Sequence, residues 1–279
     1  MKGRDGNGMN KVQFEEMFPW ELAQALARAP IGYLPLGTLE WHGEHNAVGL
    51  DGLKAHAVCV QAARQSGGVV VPPLYWATDS REEMEDGTYL TGGVERGERY
   101  HVPGNMFWLR PQTYYDLLLD IYEAMRRRGM RVIIVVAGHW SRVTLPTIRA
   151  GGAQFTAQHP ESKWLLLTDQ EVVPDLHYPN EHAAGGETSL LMAIRPDLVD
   201  LSKTLETDRS LKPYYAGQPE HLRRRGATRH KYIGVDPDSE GASNDPELTA
   251  STERGRTLLK AISARIAARA TALLAEARG

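Results

Sequence analysis

The run Val132–Ala137 (VIIVVA) constrains the fold more than any other stretch of the chain. Consecutive apolar residues, nearly all β-branched, suit a strand covered on both faces, and such strands belong to parallel sheets with helices on either side. The preceding residues supply one of those helices. Tyr114, Leu117, Leu118, Ile121 and Met125 recur at helical spacing, Arg126–Arg128 close the pattern, and Gly129 supplies a stop.

The alternation continues along the chain. Ile31–Leu36 reads as a buried strand ending at Gly37, Gly52–Arg64 as a helix, and Val69–Val71 as a short strand stopped by Pro72 and Pro73. Trp164–Thr168 reads as a further strand. Glu187–Ile194 begins a helix limited by Pro196, and Leu258, Ile262, Ile266, Ala270 and Leu273 mark an amphipathic helix over 256–275. Residues 75–110 show no period and read as loops and short pieces. Strands alternating with helices predict an α/β fold with a mostly parallel sheet. With no linker or internal repeat, residues 1–279 read as one domain, its first ten residues disordered.

Composition matters here for what it excludes. The 32 Lys+Arg against 35 Asp+Glu leave a formal net charge of −3, which argues against nucleic acid or an anionic membrane as a partner. The basic cluster His221–Lys231 (HLRRRGATRHK) then reads as a subunit contact or a solvated face. The longest apolar run, Val132–Ala137, is far short of the ~20 residues that span a bilayer. A single cysteine, Cys59, excludes an internal disulfide framework and fits a reducing compartment. With polar, glycine-rich residues at positions 1–10, a soluble cytoplasmic protein is expected.

Three segments carry candidate chemistry. The first, residues 40–51 (EWHGEHNAVGLD), places Glu40, His42, His45 and Asp51 directly after a predicted strand. In extended backbone, residues two apart point the same way, so Glu40 and His42 can face one site. Asp51 opens the next helix, from where its carboxylate can bridge two cations. The plain alternative is a polar loop with Asp51 as a helix cap. The second segment is Gly138-His139, at the carboxyl end of the VIIVVA strand, where open parallel sheets bind ligands. The third, Glu181–Ser189 (EHAAGGETS), pairs His182 with a glycine-rich turn and Glu187. Histidine suits proton transfer near neutral pH, while Glu187 is also favourable at a helix start through the helix dipole alone. Lys54 and Arg110 show no role at this level.

These segments together resemble the creatininase (creatinine amidohydrolase) family. The resemblance rests on Leu34–His45 (LPLGTLEWHGEH) with Asp51, on Val135–His139 (VVAGH), and on Glu181–Ser189 running on through Ile194–Val199 (IRPDLV). Pro103–Asn105 and Asn244–Gly255 resemble weaker family signatures. The resemblance implies a three-layer α/β/α sandwich, commonly a homo-hexamer, in which two divalent ions (Zn²⁺, Mn²⁺ or similar) serve hydrolysis of a small molecule. Glu40, Asp51 and His139 would hold one ion, and His42 with the bridging Asp51 the other. The family's further carboxylate ligand stands two residues after the strand-end histidine, where this chain has Ser141. Glu187 is its expected replacement. His182 matches the family's proton-transfer histidine, and His45 is read as a residue that orients a ligand.

The expected reaction is attack of a metal-bridged hydroxide on the carbonyl carbon of a small cyclic or linear amide, with His182 and Glu187 as catalytic groups. Tyr178, Trp140 and Arg142 are candidate substrate contacts. The family resemblance implies a tryptophan four residues before the catalytic histidine, where this chain has Tyr178, which argues against creatinine itself as the substrate. The alternatives are opening of an oxidised cyclitol (inosose-type) ketone, or a metal-binding scaffold without turnover.

Overall fold

The computed structural model describes residues 11–78, 81–83, 89–91, 109–139, 141–176, 178, 182–204 and 246–278. The sequence readings that fall on residues 1–10, 103–105, Trp140, 221–231 and 244–245 lie outside these described residues.

In chain order the elements are α1 (Pro19–Arg28), β1 (Ile31–Leu36), α2 (Leu50–Ser66), β2 (Val69–Val70), β3 (Arg81–Glu83), β4 (Tyr89–Thr91), α3 (Pro111–Arg127), β5 (Val132–Ala137), α4 (Thr144–Gln158), β6 (Lys163–Thr168), α5 (Gly185–Ile194), α6 (Pro246–Thr249) and α7 (Thr252–Glu276). The main sheet has the order β2-β1-β5-β6 with every pair parallel. A small antiparallel pair, β3 and β4, lies within the stretch that shows no period in the sequence.

Alternation along the central strands explains the layers. Ile31, Tyr33, Val132, Ile134 and Val136 face a core completed by α2 and α7. Leu34, Leu36, Ile133, Val135 and Ala137 face a second core completed by α1, α3 and α4. Both central strands are buried throughout, so each face needs a helical cover, and the result is the expected α/β/α sandwich.

Two helices, α1 and α4, stand outside the alternation read from the sequence. In α1, Pro19 stands at the first helical position and the Glu21 carboxylate accepts the Phe18 N–H at 2.8 Å, which secures the start. In α4, Pro146, Gly151 and Gly152 lower helix propensity, and packing overrides it. A Cβ on Gly152 would stand 2.3 Å from the Trp164 ring, so the bare backbone lets α4 lie directly on β6.

Strands β1, β5 and β6 end level with one another, with Leu36 opposite Ala137 and Ala137 opposite Thr168. The first turn of α2 is pressed against the ends of β1 and β5. A Cβ on Gly37 would stand 2.2 Å from the Gly52 nitrogen, and one on Gly138 would stand 2.2 Å from the Asp51 carbonyl oxygen. These two glycines allow the approach that brings Asp51 between the strand ends. No helix among the described residues is long and apolar enough to cross a membrane.

Candidate metal centre

The three sequence segments meet at the carboxyl edge of the sheet. Glu40 and His42 come from the segment after β1, Asp51 from the first turn of α2, His139 from the residue pair after β5, and Glu187 from the first turn of α5. His182 precedes α5. Their ligand atoms fall into three overlapping groups: Glu40 with His42 and His182, Glu40 with Asp51 and His139, and His42 with Asp51 and Glu187.

Asp51 links the last two groups through different oxygens. Its Oδ1 lies 3.2 Å from His42 Nε2, and its Oδ2 lies 3.3 Å from His139 Nδ1. Glu40 Oε2 is 3.0 Å from His139 Nδ1, and Glu187 Oε2 is 3.8 Å from His42 Nε2. Nitrogen and oxygen ligands about 2.0–2.1 Å from a tetrahedral zinc stand about 3.3–3.4 Å apart, so this spacing fits a divalent ion in either group. The chemistry of the donors fits as well, since each of the two groups that Asp51 links offers one imidazole and two carboxylates. Asp51 Oδ2 and His139 Nε2 are buried without a hydrogen-bond partner among the described residues.

Backbone carbonyls orient the rings. A carbonyl only accepts, so His42 Nδ1–H donates to the Glu40 carbonyl (3.0 Å), turning Nε2 toward Asp51. His182 Nε2–H donates likewise to the Trp41 carbonyl (2.8 Å), leaving Nδ1 to carry the lone pair, and its ring lies 4.4 Å from that of His42. His45 is buried, and its Nε2 lies 3.1 Å from the Ala183 carbonyl, so it anchors the turn that carries His182. Ala183 holds a left-handed backbone (φ 57°), and its N–H donates to Glu187 Oε2 at 2.7 Å.

Burial and charge compete in this cluster, and charge prevails at most positions. Burial pushes the Glu40 carboxyl up, but His139, His182 and His42 outweigh it and hold the group at about 2. Asp51 is likewise buried, yet His42, His139 and Lys54 draw it well below the usual carboxylate range. Burial disfavours the charged rings of His42 and His139. Asp51 and Glu187 beside the first, and Glu40 and Asp51 beside the second, raise them to about 9 and about 10. His182 goes the other way, lowered by burial and by the neighbouring His42 charge, so it stays neutral near pH 7.

Ser141 stands two residues after His139 but serves the backbone. Its Oγ accepts the N–H groups of Val143 (3.2 Å) and Thr144 (3.1 Å) at the start of α4. Glu187 is the further carboxylate, beside Asp51, that stands near His42. Tyr178 is buried, with its hydroxyl donated to Asp169 Oδ2 at 2.6 Å, and Arg142 is exposed before α4. Trp140 lies outside the described residues.

Sequence reasoning missed Lys54 and Asp169. Lys54 is buried, donates to Glu187 Oε1, and lies 3.1 Å from Asp169 Oδ2. Burial alone would push its ammonium toward neutrality, and Asp169, Glu187 and Asp51 outweigh that and keep it charged. Two signals were available. A lysine interrupts the buried face of α2 beside Ala55, Val58 and Cys59, and Asp169 follows a strand end just as His139 does.

A cluster of imidazoles and carboxylates at the carboxyl edge of a parallel α/β/α sheet defines the class: a hydrolase built around a metal centre. A family model described as creatininase, creatinine amidohydrolase, matches residues 15–270, and the chain belongs to that family. It is 28% identical over 272 residues to creatinine amidohydrolase of Pseudomonas putida, covering 90% of this chain and 94% of that one. A crystal structure of creatinine amidohydrolase (creatininase) superposes with a TM-score of 0.64 at 26% identity, covering 92% of this chain and 96% of that one. A Zn-Zn form of a mutant creatininase matches at 25% identity and TM-score 0.62, over 93% of this chain and 96% of that one. A manganese form of creatininase shares the fold.

Proposed function

We propose that this chain binds two divalent ions that share Asp51 and uses them to hydrolyse a C–N bond in a small cyclic or linear amide. The observation that carries this reading is the division of Asp51: Oδ1 faces His42, which is grouped with Glu187, and Oδ2 faces His139, which is grouped with Glu40. Glu40, Asp51 and His139 would hold one ion, and His42, Asp51 and Glu187 the other. Ions held there would supply Lewis acidity and would lower the pKa of a bound water toward neutrality.

The chain's own residues do the rest. The neutral His182 offers Nδ1 to take the proton that the attacking water gives up as its oxygen bonds the amide carbonyl carbon, and its bond to the Trp41 carbonyl fixes the ring while it does so. The same nitrogen then returns the proton to the departing amine. Glu187 and Asp51, both buried, hold their carboxylates without competition from bulk water.

Tyr178 favours a second reading of the substrate. The family resemblance implies a tryptophan at this position, over a flat ring, in the enzyme that acts on creatinine. Tyr178 is instead tied to Asp169 and packed in the core, which argues against such a cover, and the reading that does not need one is an oxidised cyclitol ketone. One panel tests both readings. Zinc- or manganese-loaded protein is assayed against creatinine, lactams, linear amides and cyclic polyol ketones, with metal per subunit measured in parallel. Amide turnover with two ions per subunit is the expected result. Ketone opening alone selects the second reading, and the absence of bound metal refutes both.

A further inference from the structure

Lys54 is the buried charge that the proposed chemistry leaves without a task. It lies one turn into α2, three residues after Asp51, with 1% of its side chain exposed. An ammonium is costly to bury unless its hydrogen bonds are met, and this one meets carboxylates on three elements. It donates to Glu187 Oε1 at the start of α5, lies 3.1 Å from Asp169 Oδ2 after β6, and lies 3.8 Å from Asp51 Oδ1 on its own helix. Asp169 is itself fixed by the Tyr178 hydroxyl at 2.6 Å.

The two oxygens of Glu187 are thereby given different partners. Oε1 takes the Lys54 ammonium, while Oε2 accepts the Ala183 N–H at 2.7 Å and faces His42 Nε2 at 3.8 Å. A glutamate has three side-chain torsions, so one bond at each oxygen sets both its reach and the plane of the carboxylate. The nearer alternative, position 141, offers only a serine that caps α4. A ligand brought from a separate helix needs an anchor of its own.

We propose that Lys54 is a positioning residue for the metal centre: it holds Oε1 of Glu187 so that Oε2 is presented to the ion shared with His42 and Asp51. The proposal rests on Glu187 being a ligand. Lys54 also carries the charge that offsets Asp169, a carboxylate beside the centre that faces neither ion group.

The test is titration of metal-depleted protein with Zn²⁺ by calorimetry, with zinc per subunit measured after dialysis. It compares the unaltered chain, Lys54→Met, Glu187→Gln and the double variant. Lys54→Met is expected to weaken one of two zinc-binding events at least tenfold and to leave the other within threefold. Glu187→Gln is expected to weaken the same event, and the double variant to bind no more weakly than Glu187→Gln alone, because coupled residues are non-additive. A folded Lys54→Met protein with both events unchanged overturns the proposal and leaves Lys54 a structural ion pair. If Glu187→Gln keeps both events, the ligand assignment itself fails, whatever Lys54→Met does. If Lys54→Met does not fold, a crystal structure of the zinc-loaded unaltered chain decides. Lys54 on one Glu187 oxygen with zinc on the other upholds the proposal, and Lys54 turned to Asp169 alone overturns it.

Discussion

Gly138 offers the sharpest test of how the fold builds the centre. A Cβ at this position would lie 2.2 Å from the Asp51 carbonyl oxygen, 3.0 Å from its carbonyl carbon and 3.2 Å from the Ala55 Cβ. All three neighbours belong to the first turns of α2, and none is the flexible end of a side chain. Relieving the oxygen contact to about 3.3 Å, near the lower limit for carbon–oxygen contacts, requires about 1 Å of movement. Metal sites tolerate only about 0.2 Å in ligand distance, and Asp51 belongs to both proposed ion groups. Gly138→Ala is therefore expected to weaken zinc binding at both groups by about 100-fold, which is about 2.8 kcal/mol. Overpacking should cost a further ~1–3 kcal/mol of stability. The assay is calorimetric zinc titration with a chemical denaturation curve on the same preparation. Gly129→Ala is the control: its Cβ would meet nothing within 4 Å, and its φ of +92° brings backbone strain far from the centre. It should lose about 1–2 kcal/mol of stability and bind zinc as the unaltered chain does. Gly138→Ala with unaltered zinc affinity, or Gly129→Ala weakening it equally, would refute the reasoning.

Three further outcomes are expected. Because His42 and His139 are raised to about 9 and about 10, both are protonated at pH 7 in the metal-free protein, and a divalent ion must displace those protons. Zinc binding should thus release protons and weaken as pH falls, and identical heats in buffers of different ionisation enthalpy would contradict this. Ala183→Gly relieves the left-handed strain but loosens the unfolded chain, so its stability should stay within about 1 kcal/mol, whereas Ala183→Val should lose about 2 kcal/mol or more in denaturant melts. His182→Asn should lower kcat by about 10²–10⁴ while leaving two zinc ions per subunit; loss of metal instead would reassign His182 as a ligand.

Much of this protein is legible in its sequence because local signals and tertiary demands agree. VIIVVA is buried on both faces as β5, Gly129 closes α3, and Glu40, His42, Asp51, His139, His182 and Glu187 meet at one sheet edge. Positions beside strand ends and helix starts are fixed by the elements themselves, so their side chains can be placed before the fold is known.

What the sequence could not show are the relations between elements. The helix α4 is stabilised by contact with β6 in spite of its glycines, so no local pattern announces it. Lys54 interrupts the apolar face of its helix in the chain, but its partners do not show there. Only when α2, α5 and β6 converge does it find Glu187 and Asp169 within reach. The sequence by itself determined an α/β fold with a buried parallel sheet, through periodicity, and which histidines and carboxylates stand at its strand ends and helix starts; the layer order and the ligand roles came from the family resemblance. The tertiary structure alone decided which oxygen of Asp51 faces which histidine, and which oxygen of Glu187 turns to His42 and which to Lys54. Those choices depend on close approach between segments far apart in the chain, where a glycine hydrogen in place of a methyl group settles a distance of about 1 Å.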